Sequence, residues 1–139
     1  ANIGKKFKQS TPYKNIKLHL HTKNTVSFVR SWNVKKYGDK LSSFRPSLLK
    51  IKKTKKSFVS FEAGRAGLVL RAITPLFDNE HNYVGSLEFI QGLNSVAKYF
   101  HKEKYNFLLL MNDSLLQIAT KAKSNKSVGK YKVSQKFIQ

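Results

Sequence analysis

One arginine, Arg71, stands in the middle of an apolar, strand-forming run, 68-LVLRAITPLF-77. A buried charge is costly unless something pairs with it, so the run implies a partner for Arg71. Strand alternation sets Val69, Arg71 and Ile73 on one face and Leu68, Leu70 and Ala72 on the other. Two kinds of partner fit a guanidinium there. One is a glutamate of a neighbouring strand, Glu62 or Glu88; the other is the carboxylate of a bound guest, held by the two-pronged pairing that arginine favours.

Other residues could share such a site. The long segment 23–56 supplies Trp32, Tyr37 and Phe44 as aromatic walls and Arg30, Arg45 and Ser43 as polar groups. Arg30 and Arg45 have a nearer alternative in Asp39, within the same segment. His19 and His21 sit two apart, on one face of a strand, a spacing that can ligate metal. With no cysteine and no third carboxylate beside them in sequence, no metal is expected, and one histidine is read as a hydrogen-bonding wall. Glu62 and Glu88 could be paired for acid–base work, but no nucleophile–base pair or phosphate loop accompanies them. No catalytic residues and no cofactor are therefore expected.

The elements that must position these residues follow from pattern. The segment 16-IKLHLHT-22 alternates, with Ile16, Leu18 and Leu20 on one face and Lys17, His19 and His21 on the other. Strands are expected over 57–64, 68–77 and 83–91, joined by the Gly64–Gly67 turn and the polar turn 78-DNEHN-82. Segment 23–56 reads as a compact loop with a short helix around Ser47–Lys53, and 93–104 takes helical spacing. The apolar run 106-NFLLLMND-113 reads as a central buried strand. Together these make an α+β domain of about five antiparallel strands with flanking helices. Residues 1–15 are a polar lead-in, 16–120 the domain, and 121–139 a basic tail.

Net charge is +20, which ordinarily raises nucleic acid or an anionic membrane as partner. Four of the cations are arginines, all between Arg30 and Arg71; the rest are lysines in scattered short clusters. Lysine sits cheaply on any wet surface, so the lysines read as solvated and the arginines as the specific signal. A small basic nucleic-acid-binding domain is the alternative, but it needs aromatics interleaved with cations on an exposed sheet face. Strand 106–113 has no such alternation. No apolar run approaches the roughly 20 residues that span a bilayer.

The string 59-VSFEAGRAGLVLRAITPLFDNEHNYVGSLEFIQGLNSVAK-98 resembles the sheet of a Cache domain, the PAS-like extracytoplasmic sensory module. The upstream 19-HLH-21, 28-FVRSWN-33 and 37-YGDKLSSFRPSL-48 resemble its pocket-forming part. The resemblance implies a PAS-like fold with a pocket-covering loop. It implies a periplasmic sensing domain of a membrane-anchored chemoreceptor or sensor kinase, non-catalytic in itself. It implies a small ligand, a carboxylate or amino acid, in contact with Arg71, Trp32, Arg45, Arg30, His19, Phe44 and Glu62. Nucleic acid is not an expected partner. The chain shows no long helix before its first strand, so homodimerisation, which such a helix commonly carries, stays open.

Overall fold

In a computed structural model, residues 9, 16–65, 67–121 and 137–138 are described. Five strands, β1 (Lys17–Thr22), β2 (Ser27–Arg30), β3 (Phe58–Gly64), β4 (Gly67–Phe77) and β5 (Tyr83–Gln91), form one sheet in the order β2-β1-β5-β4-β3. Strands β3, β4 and β5 make the expected meander. Asp78 turns the chain into β5 by accepting backbone N–H bonds from Glu80 and Asn82. The first strand then returns antiparallel beside β5, with His19 opposite Glu88 and His21 opposite Ser86. The result is the expected PAS-like α+β arrangement.

Contacts divide the chain into two units, Ala1–Ser60 with Leu70–Gln91, and Phe61–Val69 with Gly92–Gln139. In the first unit, helix α1 (Pro46–Thr54) buries Leu48 and Ile51 with Leu41 and Ile73, and Phe44 and Phe58 pack against that core. Pro46 opens the helix, where its missing N–H costs nothing, and Lys52 and Lys53 sit in the last turn, where cations suit the dipole. In the second unit, helix α2 (Asn94–Lys102) is followed by a short strand β6 (Met111–Asn112), paired with β7 (Phe137–Ile138), and a 3-10 turn at Asp113–Gln117. Met111 and Ala119 form its buried core with Leu68, Leu115 and Leu116.

Two expectations are corrected. The run 106–113 is no central strand: only Met111 and Asn112 pair, and Leu108 and Leu110 are exposed. The fifth strand is instead Ser27–Arg30, inside what the pattern read as loop. Alternation left open which face of β1 is covered; the more buried one carries His19 and His21. Polar side chains occupy that face because partners from β5 meet them there. The lead-in at 1–15 and nearly all of the 121–139 tail lie outside the described residues, so those two boundaries carry no structural finding.

Candidate functional site

The site follows from register. Antiparallel pairing puts directly opposite residues on the same face of a sheet. Reading across four strands, Arg30 on β2 lies opposite His19 on β1, His19 opposite Glu88 on β5, and Glu88 opposite Ile73 on β4. A second row runs Ser27, His21, Ser86, Pro75. A stripe of polar residues thus crosses the sheet, and all but Ile73 and Pro75 carry hydrogen-bonding side chains.

Glu88 is its centre and is 0% exposed. Oxygen Oε1 accepts from Arg71 Nη1 at 2.9 Å and also from Arg45 Nη2, an arginine placed just before α1. Arg71 therefore pairs with the protein's own Glu88. Oxygen Oε2 faces His19 Nδ1 at 3.5 Å and His21 Nε2 at 3.6 Å, the outer limit of a hydrogen bond. Each ring is fixed from its other side: His19 Nε2 meets Ser27 Oγ at 2.8 Å, and His21 Nδ1 meets Ser86 Oγ at 3.1 Å.

The electrostatics follow from burial and charge. Burial alone would raise the carboxyl of Glu88, but the His19 contact and the Arg45 and Arg71 charges outweigh it and hold it down at about 2. His21 is pushed down to about 3, first by burial and then by His19 beside it. Burial likewise lowers His19, against the pull of Glu88. At neutral pH the cluster is one carboxylate, two guanidiniums and two neutral imidazoles.

A close backbone approach keeps β1 in register. A Cβ on Gly85, opposite Thr22, would lie 2.0 Å from the backbone oxygen of His21. Only glycine lets β5 come that near.

The sequence-expected residues divide. Arg71, Arg45 and His19 converge on Glu88, whereas Arg30 pairs with Asp39 at 2.6 Å and donates to the Lys36 carbonyl. Trp32 is half exposed, its ring edge-on to His19 with centroids 5.4 Å apart, and Tyr37 is exposed. Phe44 packs into the α1 core instead of lining a polar face. Glu62 lies on β3. Absent from the expected set are Ser27 and Ser86, which orient the rings, and Glu88 as the hub. Glu88 did carry a signal, a charge inside the apolar strand 83-YVGSLEFIQ-91, the same kind that marked Arg71.

Fold and polar face together define a PAS-like sensory module. Residues 2–129 match the dCache_3 family, described as the double sensory domain of two-component sensor kinases, and the chain belongs to that family. No curated protein and no solved structure matched.

Proposed function

We propose that this domain is the periplasmic, ligand-sensing part of a membrane-anchored bacterial receptor, a sensor kinase or chemoreceptor, and that it binds a small anionic metabolite on its Glu88 face. A short carboxylate or an amino acid fits best. The observation that supports this is the convergence of Arg45 and Arg71 on one carboxylate oxygen, buried in the middle of a sensory-domain sheet. Two guanidiniums with one shared acceptor are a carboxylate receptor whose resident carboxylate is Glu88. A guest carboxylate offers two oxygens and can take bidentate bonds from one or both arginines.

The consequence is mechanical. Arg71 is fixed on β4, while Arg45 stands at the end of the 31–45 loop, at the mouth of α1. Exchanging Glu88 for a guest changes what Arg45 holds, and so the set of that loop and helix on the sheet. Trp32 and Tyr37, on the same loop and exposed, supply an apolar cover. The signal is limited to the guest's differential affinity for the two arrangements.

Thermal-shift measurement against carboxylates, amino acids and their uncharged amides tests the reading. A true ligand at 100 times its Kd stabilises by about 2.7 kcal/mol, and its amide does nothing. Arg71→Lys keeps the charge beside Glu88 but loses the planar fork, so it should fold and lose the response. A panel in which no carboxylate raises the melting temperature, or in which Arg71→Lys responds like the parent, sinks the proposal.

A further inference from the structure

The two arginines use only one oxygen of Glu88. The other, Oε2, points at His19 Nδ1 and His21 Nε2, and neither Oε2 nor His21 Nε2 has a hydrogen-bond partner among the described residues. Buried polar atoms of that kind need an explanation. The three side chains are all buried, and their donor atoms lie within 4.8 Å of one another.

We propose that His19 Nδ1, His21 Nε2 and Glu88 Oε2 form a three-donor site for a divalent transition-metal ion of the Zn2+ type. Geometry is the first support. Metal–ligand bonds of about 2.0–2.2 Å in a tetrahedron set neighbouring donor atoms about 3.3–3.5 Å apart. The two nitrogen–oxygen separations, 3.5 and 3.6 Å, already match that spacing, and all three donors lie within 4.8 Å of one another, so the two rings close on the ion by a small rotation. Tautomers are the second. Metal-bound histidine donates its remaining ring N–H to an outer partner, and Ser27 Oγ and Ser86 Oγ stand at those positions. A serine hydroxyl can donate or accept, so both rings can switch tautomer when the ion arrives and keep their serine partners.

Sequence distance hid the third donor. Glu88 lies far from 19-HLH-21 in the chain, and only the β1–β5 register brings it opposite His19. A shift in the β1–β2 register between Leu20 and His21 adds local control, since bulges re-aim side chains beside sites. Two imidazoles select Zn2+, Ni2+, Cu2+ or Co2+ over Mg2+ and Ca2+. The guanidiniums of Arg45 and Arg71 oppose an added cation, and they also fix Glu88 so that Oε2 alone is presented. Three protein donors leave a fourth position for water or an anion.

The test uses the chain without a polyhistidine tag, stripped with chelator and titrated with Co2+ and then Zn2+. Expected are one equivalent bound, a visible Co2+ spectrum of tetrahedral type, and quenching of the only tryptophan, Trp32, by Co2+. His21→Gln should abolish all three. Ser86→Ala removes no donor and should weaken binding about 10- to 100-fold. A double variant, His81→Gln with His101→Gln, should bind as the parent does, because those exposed histidines lie elsewhere. The proposal is overturned if no equivalent binds, if His21→Gln binds like the parent, or if the His81/His101 variant loses the ion. No organic ligand enters this titration, and the carboxylate screen is run in chelator, so either idea can fail without the other.

Discussion

Two arginine–carboxylate sites of the sheet differ in depth. At the edge, Arg30 of β2 meets Asp39 of the neighbouring loop, with the Asp39 side chain 27% exposed. At the centre, Arg45 and Arg71 meet Glu88, with no part of Glu88 exposed. Water can reach the partly exposed Asp39 if Arg30 is lost, and Arg30, though buried, keeps its bond to the Lys36 carbonyl if Asp39 is lost. Water has no such access at the centre, where losing one partner strands a buried charge. A pairing of the same chemistry is therefore local stapling in one place and a commitment of the whole face in the other. The lysines underline the contrast: every described lysine is exposed, while three of the four arginines are buried.

The sharpest way to break the comparison is to neutralise both carboxylates. Glu88→Gln should cost about 3–5 kcal/mol in urea unfolding, because two guanidiniums lose their counter-charge. Wild-type stability in that variant would show that the arginines do not depend on Glu88. Acid should act at the centre next. His21 titrates near 3 when folded against an ordinary 6.5, so between those values the unfolded chain binds a proton that the folded chain does not. Glu88, held near 2 against 4.5, has the same sign. Measured in chelator, stability should be full above about pH 6.5 and fall by a few kcal/mol as pH drops, first from the histidines and then from Glu88. A flat profile from pH 7 to 4 would mean that the rings are not buried neutral. Gly85→Ala should cost about 1–3 kcal/mol or more by forcing β5 away from His21. A melting curve that does not move would show that the strands are not that close. Smallest is Asp39→Asn, expected at about 1 kcal/mol, since Asp39 is partly exposed and Arg30 keeps its bond to the Lys36 carbonyl. If it rivals Glu88→Gln, depth does not distinguish the two sites.

How much of this was legible in the sequence varies by element. Strands β3, β4 and β5 were, because Pro75, the polar turn at 78–82 and period-two alternation are local signals. Helix α1 was in part, as a short helix expected around Ser47–Lys53 that runs Pro46–Thr54 in the structure. Strand β2 was not, since SFVR is short and its pairing to β1 depends on a turn at 23–26 with no hydrophobic signature. The inward face of β1 was not, because alternation defines two faces but not which one is covered. His19 and His21 are buried only because Glu88 and Ser86 stand opposite, a fact of register between distant segments. The apolar run at 106–113 misled because an apolar run does not by itself fix strand pairing, and only Met111 and Asn112 pair. Arg71 was legible as a charge needing a partner, and both partners considered for it were glutamates of the sheet or a guest. In the structure Glu88 takes that place.

The most direct test of the central claim follows the guanidinium side-chain NMR signals of the arginines while the best carboxylate from the screen is added. The account expects the Arg71 and Arg45 Nε–H signals to shift with the same dissociation constant, while Arg30, held by Asp39 at the edge, stays still. Movement of Arg30 with Arg71 and Arg45 unchanged would contradict it, and would leave the central arginines as a purely structural clamp on Glu88.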